Sequence, residues 1–212
     1  MAEQETVRRD KRVELAAAVL LSIATLLTAW AAYQATRWSG EQAESYTTAS
    51  ALRTESVRAA NIARNQALID VNTFIAWLDA SVEGDQALAD DIQDRMREEF
   101  RPAFDEWLAS APPGEVPEGT PFELESYTLA EEENAAELER RAAAAFDDGR
   151  EANQTGDNFV LAAVLLASVL FFAGLAGTLD SRAPQVILLT LAVVMLVSGT
   201  IVVVLLPQNV GV

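Results

Sequence analysis

Three uncharged apolar runs stand out from an otherwise polar chain. The first goes from about Leu15 to Tyr33, and the others are Phe159–Leu179 and Val186–Leu206. A bilayer core takes about 20 apolar residues of helix to cross, and the last two runs have 21 each. Only Asp180 to Gln185 separates them, so they form an antiparallel helical hairpin. The pattern predicts an all-α protein with transmembrane helices over 13–38, 159–179 and 186–206. A helical extracytoplasmic domain is expected over 39–158, between the first and second spans, built as a three-helix, coiled-coil-like bundle. Residues 1–12 and 180–185 would then be cytoplasmic, and 207–212 an extracytoplasmic tail.

A second pattern lies inside these runs. Ala18, Ser22, Thr25, Ala29, Ala32 and Thr36 follow one another at spacings of 4,3,4,3,4. That puts small residues on one helix face, where another helix can approach closely in lipid. Leu138, Ala142, Ala145, Gly149, Ala152, Gly156 and Phe159 repeat the alternation further on, and Ala163, Ala167, Leu170, Gly174 and Gly177 resume it inside the second run. Residues 128–179 therefore read as one long helix or two nearly coaxial ones, with Gly156-Asp157-Asn158 as the one weak point. On this reading the second span packs against the first, and the third is peripheral and lipid-facing. Bulky residues at Gly149, Gly174 or Gly177 would then disrupt assembly.

The middle of the chain is also helical in pattern. Glu41 to Val82 contains neither Pro nor Gly, and Leu68, Val71, Ile75, Leu78 and Val82 form a 3,4,3,4 stripe. Gly84 is placed to cap and turn the chain. A helix follows over about Gln86–Ala109, where Pro102 either kinks it or starts a new one. Residues 111–121 hold four Pro and two Gly and make a loop. Thr128-x-x-Glu131 is a capping-box pattern opening the next helix.

Charge sets the orientation. Arg8, Arg9, Lys11 and Arg12 precede the first run, and Trp30, Tyr33 and Trp38 mark its far end as interface anchors. Basic flanks favour the cytoplasm, so the amino terminus is inside. A cleaved signal peptide ending near Ala29-Trp30-Ala31 is the competing reading; the length and the small-residue stripe favour a retained helix. Arg37 and Glu41, four apart, are an ion-pair candidate. Residues 34–158 hold 10 Arg and 27 acidic residues, so the whole net charge of −17 lies there. Such a surface repels nucleic acid and gives at most weak attraction for divalent cations.

Little in the sequence points to chemistry. With no Cys and no His, thiol catalysis, thiolate sites and histidine-metal motifs are excluded. Adjacent acids such as Asp90-Asp91 and Asp147-Asp148 point about 100° apart on a helix and face water. No phosphate loop, nucleophile elbow or dinucleotide fingerprint occurs. No catalytic, cofactor-binding or metal residues are expected, and no cofactor. The apolar runs contain no ionisable residue at depth, which argues against a proton-coupled transporter.

The run Thr28-Ala29-Trp30-Ala31-Ala32-Tyr33-Gln34, with the acidic helical middle and the closing hairpin, resembles small uncharacterised bacterial membrane proteins of the domain-of-unknown-function 4337 type. That resemblance implies an architecture, not an activity. The plan is also similar to the ligand-sensing half of chemoreceptors, except that no signalling module follows the second span. The expected role is a non-enzymatic, self-associating scaffold or interaction protein in the bacterial cell membrane, a homo-oligomer whose other partner is the lipid bilayer. An oligomeric cation channel or mechanosensitive element is one alternative. A sensor subunit with a separate cytoplasmic partner is the other.

Overall fold

From Ala2 to Glu83 the chain has no Pro and a single Gly, and nothing interrupts helix over that length. The computed structural model describes residues 2–112, 114–179 and 181–210, with residues 2–13 as backbone alone. The basic side chains of Arg8, Arg9, Lys11 and Arg12, together with Pro113, Asp180 and the last two residues of the tail, lie outside the described residues. The fold is all-α, with five α-helices among the described residues: α1 Ala2–Glu83, α2 Gln86–Asp94, α3 Arg101–Leu108, α4 Ala130–Ala176 and α5 Arg182–Leu205. One 3₁₀ turn, Pro121–Glu123, precedes α4. Three helices, α1, α4 and α5, are long and apolar enough to cross a membrane. The chain divides into two compact units, residues 1–47 with 145–212, and residues 48–144.

Within the 48–144 unit, α1 ends as the sequence predicts. Gly84 takes φ +80°, its N–H donates to Ser81 O and the Asp85 N–H donates to Ala80 O, which together make a Schellman cap. Asp85 then caps α2, its carboxylate accepting from the Leu88 N–H at 3.1 Å. Of the two outcomes expected over 86–109, the helix takes the restart, not the kink. It stops at Asp94 and restarts at Arg101 with Pro102 in the first turn, where a missing N–H is harmless. The break lets Met96, Phe100, Phe104 and Trp107 turn onto one core with Phe74 and Trp77 of α1. Phe104 meets Trp77 edge-on at 4.9 Å, Trp107 meets Phe74 at 5.1 Å, and Phe100 stacks on Phe122 at 5.3 Å. Within this unit α1 and α4 are long, and the third helix of the expected bundle is replaced by a short lobe, α2 and α3 on an aromatic core. Thr128 is not the residue that opens the next helix: α4 starts at Ala130, and the Leu129 carbonyl accepts from the Glu132 and Glu133 N–H groups.

The expected stripe on α1 is not the packed face. The buried positions are Ala63, Asp70, Phe74 and Trp77, whereas Leu68, Ile75 and Val82 are exposed. Aromatic side chains one position away fill the lobe better than the aliphatic ones. Nearer its start, the unit closes α1 on α4 through Ala59, Ala135 and Leu138. Ser56 Oγ donates to Ala135 O at 2.8 Å, a contact only small neighbours allow.

Within the other unit, α4 is the central helix. One third of its apolar stretch is buried (33%), against 17% for α1 and 17% for α5. The third apolar helix is therefore no more peripheral than the first; both flank α4. Ser39-Gly40 and Gly156-Asp157-Asn158 lie inside unbroken helix.

The small-residue seams fare unequally. Ala142, Gly149, Ala152, Gly156 and Phe159 are buried and Ala145 half-buried. Beyond Phe159 the packed face moves back one residue, to Ala162, Leu166, Val169, Ala173 and Ala176. Ala163 is half-buried, and Ala167, Gly174 and Gly177 are exposed. The cause is a second partner: here α4 must face both α1 and α5, and a one-residue step turns its contact face by about 100°. On α1 the buried positions are Ala17, Ala24, Ala31 and Gln34, so Ala18, Ser22, Thr25, Ala29 and Ala32 are exposed.

Candidate functional site

The aromatic lobe holds the one buried acid among the described residues. Asp70, 1% exposed, sits on α1 one turn before Phe74 on the same face. Arg97, from the segment between α2 and α3, grips it with two bonds, Nε at 2.9 Å and Nη2 at 3.2 Å. Tyr127, just ahead of α4, donates its hydroxyl to Asp70 Oδ2 at 3.2 Å. Glu99 lies 3.1 Å from Arg97 Nη1 at the exposed edge. A buried carboxylate needs such partners, because leaving it unpaired in this medium is costly.

Electrostatics follow the geometry. The bond to Asp70 holds the Arg97 guanidinium above its ordinary pKa. Burial pushes the Tyr127 phenol up to about 12, and the Asp70 charge adds to that. Asp70 accepts three bonds, two charged, so its lone pairs are spent on positioning Arg97 and Tyr127. The network ties α1, the α2–α3 segment and the start of α4 together. Its sequence signal was Asp70 itself, the single charge between Asn65 and Leu78.

In the same unit a cleft of ≈ 250 Å³ opens between α1, α2 and the loop after α3. Trp77, Ser81, Gln86, Gln93, Leu108 and Glu115 are among its lining residues. Trp77 Nε1 and Ser81 Oγ are buried and have no hydrogen-bond partner among the described residues. Among those residues no three acidic side chains gather as a metal site would need.

The unit built on α1, α4 and α5 has a different polar feature. Residues 207–209 fold back onto α1. Trp30 Nε1 donates to Gln208 Oε1 at 2.9 Å, Trp38 Nε1 donates to Pro207 O at 3.2 Å, and the Asn209 N–H donates to Gln34 Oε1 at 2.9 Å. Arg37 reaches Asn209 Oδ1 at 3.3 Å, and no ion pair with Glu41 forms. The aromatic anchors therefore do more than line an interface: Trp30 and Trp38 hold the tail, and Tyr33 packs on Trp30 at 5.6 Å. Gln34 is fully buried under this strap.

The glycines sort by contact. A Cβ at Gly149 would lie 2.5 Å from the Tyr46 ring, and one at Gly199 would lie 3.0 Å from Leu166. At Gly174 nothing stands within 4 Å. Gly199, absent from the expected seam, is the close-approach residue of α5. Its signal was weak, a short Ser198-Gly199-Thr200 run inside an aliphatic stretch.

No family model, no curated protein and no solved structure matches this chain.

Proposed function

We propose that this chain is a three-span membrane protein that acts by association, as a non-enzymatic scaffold binding further copies of itself. Its middle region, 39–158, lies outside the cytoplasm on this reading, with 1–12 and 180–185 inside. The observation that carries it is the outer surface of the three apolar helices. Large apolar side chains, among them Leu26, Phe171, Ile187 and Val204, point outward from α1, α4 and α5. Such a surface belongs in lipid. The hydroxyls of Ser22, Thr25, Ser168 and Thr190 each donate to the carbonyl one turn back, as hydroxyls in lipid must. On α1 the small residues Ala18, Ser22, Thr25, Ala29 and Ala32 face away from α4 and α5, which leaves a helix-sized close-approach surface.

The test is the mass of the assembly released from native membranes. Native mass spectrometry at physiological expression should give a homo-oligomer, and a monomer alone would remove self-association from the reading. A sensor role is the second reading, favoured by the cleft and its two unpartnered polar groups. Affinity capture through residues 1–12 and 180–185 that yields no cytoplasmic protein would end it.

A further inference from the structure

Between α1 and α5 an apolar groove of ≈ 620 Å³ opens on the outer surface of the three apolar helices. Ile23 and Leu27 wall it on one side, and Val197, Ile201, Val204 and Leu205 on the other. Its extent is particular. Ile23 lies near the middle of the run Leu15–Tyr33, and Leu196, where the α5 wall begins, is the middle of Val186–Leu206. Leu196 to Leu205 is about 14 Å of helix, close to half of the roughly 30 Å hydrocarbon core. The groove therefore runs from the bilayer midplane to the surface beside residues 207–209, the outer leaflet on the proposed topology. In the other half the helices close around Ala24, Ala173 and Ala192.

Depth and lining select the occupant. A helix crossing the bilayer needs a surface of about twice this depth, and helices approach closely in lipid through small residues. Branched side chains line this groove instead. Thr200, the polar residue in its wall, donates its hydroxyl to Leu196 O at 2.7 Å, so nothing there requires a polar partner. An acyl chain of one leaflet has the length and the pliancy for such a channel.

Apolar contact alone does not hold a lipid, because acyl chains are equally well solvated in the bulk bilayer. The mouth of the groove supplies the rest. Trp30 and Gln208 bond across its outer end. Arg37 stands seven residues beyond Trp30 on the same face, and about 6 Å past the end of the apolar run at Tyr33, at the depth of lipid headgroups. Glu41 follows one turn further. Both are exposed, and neither forms an ion pair among the described residues. Arg37 Nη2 donates to Asn209 Oδ1, and a guanidinium has five N–H donors, enough to bind a phosphate as well. A cation and an anion one turn apart match a head group that carries both a phosphate and an amine.

We infer that the groove holds one zwitterionic phospholipid of the outer leaflet, with an acyl chain along α5, its phosphate at Arg37 and its amine at Glu41. The inference rests on the three-span reading and is independent of self-association.

The full chain is released from nanodiscs of equal phosphatidylethanolamine and phosphatidylglycerol, and its bound lipid is read by native mass spectrometry. One phosphatidylethanolamine per chain is expected, in about threefold excess over phosphatidylglycerol, the scale of an exposed ion pair. Glu41→Gln should bring the ratio to one, and Arg37→Gln should lower retention of both lipids. Ile201→Trp with Val204→Trp fills the groove from two exposed positions and should cut retention about tenfold. Ile187→Trp, exposed in the other half of α5, should not. Equal retention in the groove-filled and control variants overturns the site. So does a native chain that holds the two lipids equally, prefers phosphatidylglycerol or holds none. A dimer without lipid that the groove-filling pair dissociates makes the occupant a helix, which also overturns it. A chain that does not enter nanodiscs removes the three-span reading and the site with it. The protein mass in the same spectra reports self-association separately.

Discussion

Removing Arg97 tests what holds the aromatic lobe together. Arg97→Met keeps the unbranched stem of the side chain and deletes both bonds to Asp70. Asp70 is 1% exposed, so its carboxylate would keep only the Tyr127 hydroxyl. Breaking a buried pair from one side costs about 3–5 kcal/mol. Arg97 is itself 18% exposed and its loss admits water, so the lower end, about 3 kcal/mol, is expected. Removing the whole network gives the opposite result. Asp70→Leu with Arg97→Met and Tyr127→Phe leaves no orphaned polar group, and such apolar replacements are commonly neutral or stabilising by about 1–4 kcal/mol. Urea unfolding of the full chain in nanodiscs, followed through Trp77 and Trp107 fluorescence, reads both, since both indoles sit in this core. A loss under about 1 kcal/mol for Arg97→Met would refute the reasoning, because by the same rule a paired buried carboxylate cannot lose its cation cheaply. So would a triple variant as damaged as the single one.

The other predictions concern single groups. The Tyr127 phenol is raised from near 10 to about 12, so the fold favours its neutral form. That contribution is fully present below about pH 10 and is lost as pH climbs towards 12, and stability against pH should lose this step in Tyr127→Phe. Ser81→Ala removes a buried hydroxyl with no hydrogen-bond partner among the described residues and should raise stability by about 0.5–1.5 kcal/mol in urea titration; a loss of stability would show the hydroxyl to be in use. Gly149→Val should cost about 1–3 kcal/mol in detergent thermal unfolding, because its Cβ displaces Tyr46 from its stack on Phe146. A Cβ at Gly174 meets nothing within 4 Å, so Gly174→Ala should be near neutral in the same assay.

Elements were easier to read from the sequence than faces. Helix ends carry local chemistry, so Gly84 announced the end of α1, and the unbroken apolar runs announced the long helices. Which side of a helix is packed depends on partners distant in sequence. On α1 the aliphatic stripe at Leu68, Ile75 and Val82 has the better period, but Phe74 and Trp77 have the larger area to bury and take the core. On α4 the small-residue period held while one helix faced it and slipped by one residue once α5 joined. The Asp70 network, the tail strap on Trp30 and Trp38 and the close approach at Gly199 all join residues far apart in the chain. No spacing rule reaches them.

The two exposed patterns on α1 differ in what they demand. In lipid the stripe of Ala18, Ser22, Thr25, Ala29 and Ala32 demands nothing. Its hydroxyls are satisfied one turn back, and methyl groups are as comfortable against acyl chains as against a helix. Another helix gains there only by close packing. On the proposed topology Leu68, Ile75 and Val82 face water, where each Å² of apolar surface left exposed forgoes about 25 cal/mol. The same chain buries its aromatic side chains efficiently a few ångströms away, so the exposed seam is not a failure of the fold to find apolar cover.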